Sequence, residues 1–410
     1  MGARRVSVIV VSRGRPNELA LALTALGQQL HPPFEIVVVA DPAGIRAAQG
    51  HRLGRYLRTV PFDKPNIAAA RNAGLRAAGG DIIAFLDDDA YAEPTWLAHL
   101  TAPFDDPAVA ATGGYVRGRN GISFQWRARA IDVFGQHHDL DQPGDTARIV
   151  PPPPGMAIRT EGTNCAYRRA VLAELGGFDP AFRFFMDDAD LNLRLAQTGA
   201  ATCLVPLAQV VHVMAPSEIR AQRRVPRTLY EIGASIAYYL SRHAPKDQRT
   251  KALADLRGAE RKRLIRHMVW GNCVPGDVDR LLAGFDAGAK DGAGRETQTG
   301  WDGQSAGEFQ TIPMTDSETV ILSGRPWQAR ALRDTATKLV DNGARASLFV
   351  LSPTTLFHKV QYRAPGYWCQ SGGIFGRSVR SERLISMLSF QKRLELETAR
   401  VAKIRGLAQT

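Results

Sequence analysis

The chain reads as an α/β protein built on a doubly wound, mostly parallel sheet, and three features predict this. The first is a set of strand-length runs, Val6–Val11 (VSVIVV), Glu35–Ala40 (EIVVVA) and Ile82–Leu86 (IIAFL). They are almost continuously apolar, as strands covered on both faces are. The second is helical periodicity between them, with Leu19, Ala22, Leu23 and Leu26 on one face and Ile67, Ala70, Ala73 and Ala77 on another. The third is how the runs end: in Ser12-Arg13-Gly14-Arg15-Pro16, in Asp41-Pro42 and in Asp87-Asp88-Asp89. Polar residues at the carboxyl ends of parallel strands mark the crevice where open α/β sheets take their ligands.

Taken in order, the first strand turns at Gly14, and Asn17 and Glu18 open a helix that stops before Pro32-Pro33. The second strand closes at Asp41-Pro42. A short strand at Leu57–Val60 leads to Asp63 and to a helix over Asn66–Ala78, with Arg71 and Asn72 near its start. The third long strand follows. Pro94 begins a helix through Leu100, and Val109–Val116 is another strand. Residues 117–160 show no clear period, and Pro151–Pro154 make a stiff exposed piece; so long a connection is often functional. Next come Glu161-Gly162-Thr163-Asn164, a helix over Ala166–Leu175, and the turn Gly176-Gly177-Phe178-Asp179-Pro180. A second acidic group, Asp187-Asp188-Ala189-Asp190, heads a helix. Short strands at Ala201–Val205 and Val210–Val213 place His212 between valines.

Carboxylates at the end of a buried strand require partners. With a hard divalent cation, Asp87 and Asp89 offer oxygen ligands, and the metal in turn grips a diphosphate. The bland alternative is a solvated acidic turn or a helix N-cap cluster. The group Asp187, Asp188 and Asp190 has its own simple reading, as a cap favouring the helix dipole.

The ordered pieces VSVIVVS with RP after the turn, EIVVVAD, NIAAARNAGLRAAGGDIIAFLDDD, GTNCAYRRAVLAELGGFD and DDADLNLRLAQTG resemble the family 2 glycosyltransferases, which have the GT-A fold. The resemblance covers residues 5–215, with about 100 residues between the acidic groups. It implies displacement at the anomeric carbon of a nucleotide-sugar donor, with inversion, and Mg or Mn as cofactor. By resemblance Asp87 or Asp88 lies near the ribose, Asp89 binds the metal, Asp41 meets the nucleobase and Arg71 meets the base or diphosphate. Ser12 and Arg13 lie where the nucleotide rests. Asp188 matches the general base, with Asp187 beside it. Gly162, Thr163 and Asn164 line the acceptor side, and His212 is a further metal ligand or a packed core histidine. Trp96 reads as core, and Trp126 as a residue that can stack on sugar.

Several positions depart from the family pattern. Val11 stands where Pro is frequent, the second strand ends in Ala40-Asp41 with one acid missing, and the acidic pair is Asp-Asp. The QxxRW signature of processive synthases is absent, which points to transfer of a single sugar to a glycan or lipid-linked acceptor. A nucleotidyltransferase also uses paired carboxylates on an α/β sheet, and a carbohydrate-binding or scaffold protein with a degenerate site is the non-enzyme alternative.

At 410 residues the chain is too long for one ordinary core. Residues 1–216 are expected to be the catalytic domain and 217–285 a basic helical segment. Residues 286–312, rich in Gly, Asp, Gln and Thr, are expected to be a flexible linker, and 313–410 an accessory α/β region with a C-terminal helix. The net charge of +12 is uneven: residues 1–216 hold 21 basic and 21 acidic side chains, residues 217–410 hold 31 and 19. Arg220, Arg223, Arg224 and Arg227 precede LYEIGASIAYYLSRH, and RGAERKRLIRHMVW follows, so residues 217–285 have two readings, a peripheral contact with an anionic membrane and, slightly favoured, a helical hairpin packed on the catalytic domain. No specific nucleic acid is implied. The four cysteines form no CxxC, and no run is long and apolar enough to span a bilayer. A cytoplasmic location, peripheral at the inner face of the membrane, is the expectation. In the last region Tyr362-Arg363, Tyr367-Trp368 and Gly372-Gly373 are candidates for a carbohydrate or partner surface.

Overall fold

The computed structural model describes residues 4–142, 144–221, 225–304, 307–314 and 317–407. Arg223 and Arg224 lie outside them. The first region carries β1 (Val6–Ser12), α1 (Pro16–Leu26), β2 (Glu35–Ala40), α2 (Pro42–Gln49), β3 (Arg58–Pro61), α3 (Ile67–Ala77), β4 (Ile82–Asp87), β5 (Ala90–Ala92), α4 (Trp96–Thr101), β6 (Val109–Arg117) and β7 (Phe124–Trp126). It continues with β8 (Arg129–Asp132), β9 (His137–Asp139), β10 (Arg148–Ile149), β11 (Met156–Ile158), β12 (Asn164–Arg168), α5 (Arg169–Glu174), α6 (Asp187–Gln197) and β13 (Ala201–His212).

The main sheet is mixed, in the order β10-β13-β6-β12-β4-β1-β2-β3. Strands β4, β1, β2 and β3 run parallel, and β12 is antiparallel to both β4 and β6. The strand period of two sends alternate side chains to opposite faces. Val6, Val8 and Val10 pack with Leu19, Leu23, Trp96 and Leu97 on one face. Ile9, Val37, Phe85 and Tyr167 pack with Ala68, Leu75, Leu172 and Leu191 on the other. Helices therefore cover both faces, and the α/β class holds.

Two local expectations change. Asp41 and Pro42 close β2 as expected, and with Asp41 as N-cap Pro42 also starts α2. Residues 164–168 form β12, although the sequence predicts a helix from Ala166, because Cys165 and Tyr167 pack on the α3 face while Ala166 packs on the other. The two short strands around His212 are one strand, β13, irregular between Val205 and Gln209.

Helices α7 (Tyr230–His243), α8 (Arg249–Val269) and α9 (Pro275–Ala293) follow. Ile232, Ile236 and Leu240 meet Leu281, Leu282 and Phe285, while Tyr238 and Tyr239 meet Phe182 and Leu193 of the first region. The apolar side of α7 is thus used inside the protein, as the reading of helices packed on the catalytic domain expects and the membrane reading does not. The segment expected as a linker begins within α9 and then runs extended against the first region. Trp301 is buried beside Leu172, Gly300 N–H donates to Gly176 O at 3.0 Å, and Ile312 N–H donates to Phe34 O at 2.8 Å. Its polar composition conceals two anchoring apolar side chains.

The last region has β14 (Thr319–Gly324), α10 (Ala329–Asp341), β15 (Arg345–Ser352), β16 (Lys359–Arg363), β17 (Tyr367–Gly373) and α11 (Phe390–Arg405), with sheet order β14-β15-β17-β16. Tyr362, Tyr367 and Trp368 are buried in this sheet and against Tyr91 and Val211, so they offer no ligand surface. The region is held to the first by Gln28 Nε2 donating to Gly366 O (2.7 Å), Tyr362 Oη donating to Gln28 (3.0 Å) and the buried pair Arg405–Glu93 (2.9 Å).

Candidate active site

The register of β1 sets the site. Val11 lies opposite Asp87 of β4, and Ser12 opposite Ala40 of β2. The ends of β2, β1 and β4 are therefore level, and β1 is where the connections diverge to either side. Ser12, Asp41 and Asp87 stand at this switch point, the place where such sheets bind ligands.

Asp87 is half-exposed to the crevice, while Asp88 and Asp89 are buried. The buried charges are satisfied largely by Arg15, whose Nε donates to Asp88 Oδ2 at 3.0 Å and whose Nη1 donates to Asp89 Oδ2 at 2.8 Å. Burial, with the charges of Asp89 and Asp87, pushes the Asp88 carboxyl up to about 8 against the opposing pull of Arg15. Burial also penalises Asp89, but His212, Arg15 and the Ala215 N–H (2.8 Å) outweigh it and hold Asp89 below the usual carboxylate range. His212 ends β13 with Nε2 3.2 Å from Asp89 Oδ1, its ring 5.7 Å from that of Trp126.

Asp87, Asp89 and His212 each bring one ligand atom, all within 4.8 Å of one another. Two carboxylates and an imidazole fit a divalent cation such as Mn²⁺ or Mg²⁺.

The second acidic group faces the first across Arg71. Asn66 caps α3 by accepting from Ala69 N–H (2.9 Å), which sets Arg71 one turn into the helix. Its guanidinium pairs with Asp187 and lies 3.5 Å from Asp87, over the rings of Phe178 and Phe85. Asp188, next on α6, accepts from Gly162 N–H (2.9 Å) and from Arg159 (2.8 Å). A side chain at Gly162 would strike the Arg71 guanidinium, its Cβ 2.4 Å from Nη2. Glycine is what lets the loop, Asp188 and Arg71 meet. Although burial disfavours its charge, Arg159, Arg71 and the Gly162 N–H keep Asp188 below the usual carboxylate range. Burial and the neighbouring Asp188 charge push Asp187 up to about 6 despite its pairing with Arg71.

Backbone strain gathers here. Among the described residues, the non-glycine positions with positive φ are Phe185 (72°) and Met186 (69°), just before α6, and Met214 (53°), two residues beyond His212. Side chains at such angles cost roughly 1 kcal/mol or more each, and they persist where surrounding structure imposes them.

The other expected site residues are engaged within the protein. Arg13 points outward to Asp63 (2.9 Å) and Glu218 (2.5 Å), because Gly14 between it and Arg15 has φ +70° and reverses the chain. Asp41 accepts from Gly44 N–H (2.9 Å) and Gly14 N–H (3.2 Å), tying β2 to the β1 turn. Ser12 and Thr163 are buried. Asn164 is a core pin: it accepts from Trp96 Nε1 (2.7 Å) and donates to Tyr115 O and Ala208 O, so no polar group remains for an acceptor. Arg15 and Arg159 were not legible as site residues. The turn Ser12–Pro16 offers two arginines without saying which turns inward, and Arg159 lies in the stretch with no clear period.

Residues 7–176 match the family model described as Glycosyl transferase family 2. The chain is 28% identical over 216 residues to the pre-mycofactocin glycosyltransferase of Mycobacterium tuberculosis, covering 51% of this chain and 43% of that protein. It is 30% identical over 186 residues to the glucosyl-dolichyl phosphate glucuronosyltransferase of Haloferax volcanii, covering 43% and 56%. The chain thus spans about half the length of these curated relatives. Among solved structures, the mannosyltransferase PcManGT of Pyrobaculum calidifontis, in complex with GDP-Man and Mn²⁺, aligns with TM-score 0.40 and 18% identity over 71% of this chain and 88% of that one.

Proposed function

We propose that the family 2 domain makes this chain an inverting glycosyltransferase. It moves one sugar from a nucleotide-sugar donor to a hydroxyl of a glycan or lipid-linked acceptor in polysaccharide or cell-envelope glycan synthesis. The observation that carries the reading is Arg71, which holds Asp187 on one side and stands 3.5 Å from Asp87 on the other. It makes one crevice of two acidic groups far apart in sequence. A nucleotidyltransferase would need only the first of them.

In this reading the nucleotide lies along the ends of β1, β2 and β4, against Asp41 and Asp87, with Ser12 and Asp88 buried beneath it. Asp87, Asp89 and His212 hold the divalent cation, which when bound neutralises the leaving diphosphate. Asp188 accepts the proton of the attacking hydroxyl at its carboxylate. It is suited to this by being ionised at neutral pH and fixed by Arg159 and the Gly162 N–H. Attack from the Asp188 side, opposite the leaving group, inverts the anomeric centre. The acceptor class is also supported by the Haloferax relative, whose name denotes a lipid-phosphate acceptor.

The test is transfer from labelled nucleotide sugars by wild type and by Asp188→Asn. The variant should bind the donor nucleotide as wild type does and lose transfer by about 10²–10⁴-fold. Equal rates would remove Asp188 as the base. No transfer from any nucleotide sugar by wild type would remove the reading.

A further inference from the structure

The last region presents a surface that nothing in the sugar-transfer reading uses. Two loops, 353–358 before β16 and 374–388 after β17, are laced together. Gly373 N–H donates to Leu356 O (2.9 Å), His358 N–H to Arg377 O (3.2 Å) and Phe375 N–H to Thr354 O (3.1 Å), while Gly376 bridges to Ile385. A Cβ on Gly376 would stand 2.0 Å from Leu356 O, so the loops approach as closely as backbone allows. They form one tip.

On that tip Leu356 (63% exposed), Phe357 (61%), Leu384 (60%), Ile385 (58%) and Met387 (84%) all project into solvent. Soluble surfaces rarely gather so many large apolar side chains in one place without a use for them. The charges around them have one sign. Arg377 sits over the Phe357 ring at 5.0 Å, and Lys359, Arg380 and Arg383 are exposed beside the loops. The acid of this stretch, Glu382, is paired inward with Arg393 (3.3 Å) and Arg400.

We infer that this tip is a docking surface for an anionic lipid bilayer. The five apolar side chains enter the headgroup–acyl boundary, and Lys359, Arg377, Arg380 and Arg383 meet lipid phosphates. The apolar groups protrude from the loops, and a bilayer accepts protruding side chains with no preformed pockets. Basic residues beside them complement the negative potential of an anionic leaflet. Through Arg405–Glu93 and Gln28–Gly366, the region that carries the tip is joined to the domain carrying the acidic crevice. Docking would therefore hold that domain near the membrane. This locates membrane contact away from α7, whose apolar side is buried.

The experiment is vesicle flotation of the full chain with phosphatidylcholine vesicles, with and without phosphatidylglycerol. Wild type should float with the phosphatidylglycerol vesicles, less so at high salt, and not with phosphatidylcholine alone. Phe357→Ser/Ile385→Ser/Met387→Ser should abolish flotation. Arg380→Ser/Arg383→Ser should weaken it on the order of tenfold or more. Trp270→Ser, at the exposed turn between α8 and α9, should float as wild type does. All of these positions are exposed, and unchanged melting temperatures would verify folding. Failure of wild type to float at low salt would overturn the inference, as would a triple Ser variant that floats normally. Tip-dependent self-association without vesicle binding would likewise overturn it, assigning the patch to a second copy of the chain.

Discussion

Arginines, more than the acids they pair with, set the electrostatics of the crevice. The proposed role of Asp188 requires it to be ionised at neutral pH, and Arg159 at 2.8 Å helps to keep it so inside the protein. Removing that cation should raise the Asp188 pKa, so the acidic limb of kcat should move to higher pH in Arg159→Met. The rate at neutral pH should fall with it, and Arg159→Lys should restore part of the shift. A pH–rate profile checks this. A limb unmoved in Arg159→Met would mean that Arg159 holds the loop alone. The stability consequence has a definite sign. The folded pKa of Asp188 is depressed, so its contribution is present above the unfolded carboxylate pKa and is lost as pH falls through the folded value. Buried Asp190, held down by His243, Arg194 and Arg242, adds to the same acid sensitivity.

At the scale of elements, α7 and α9 approach backbone to backbone at three glycines. A Cβ on Gly288 would lie 1.9 Å from Tyr230 O, one on Gly292 2.0 Å from Ala234 O, and one on Gly233 2.2 Å from Phe285 O. Glycine costs helix propensity, and here the cost is offset by close contact between backbones. The closeness aligns Tyr238 and Tyr239 with the first region, where Tyr238 Oη donates to Asp179 (2.7 Å) and Tyr239 Oη donates to Asp132 O (2.8 Å). Gly288→Val should therefore force the helices apart and cost roughly 3 kcal/mol or more, as strong overpacking does. Chemical denaturation measures it. A variant as stable as wild type would show that the helices can slide to make room.

For the whole molecule, the crevice and the last region form a connected body, and ligand binding should be visible as global stability. A nucleoside diphosphate with Mn²⁺ should raise the melting temperature by mass action, a gain of about 2.7 kcal/mol at a ligand concentration of 100 Kd. Removing the metal with a chelator should abolish the shift, and Asp89→Ala should not recover it on adding metal back. A shift of equal size without metal would place the nucleotide away from Asp87, Asp89 and His212. The last region lies close to this site. Tyr362 and Trp368 pack with Tyr91 and Val211, beside the strand that ends in His212.

The long parallel strands, the helices between them and both acidic groups were legible in the order of the residues. Strand and helix periods are local, and a carboxylate at the end of an apolar run announces itself within a few positions. The pairings that turn those residues into a site were not. Arg15 rather than Arg13 faces the acids because one glycine reverses the chain, and Arg159 reaches Asp188 from 29 residues away. Asn164 looked like a ligand contact and is a core pin, since its three partners come from three distant segments. The polar stretch after α9 looked free and is held by Trp301 and Ile312, whose burial depends on surfaces made elsewhere. Local pattern determines which elements form and where charge accumulates. Which charges meet, and which apolar groups remain uncovered, is decided when distant segments pack and desolvate one another.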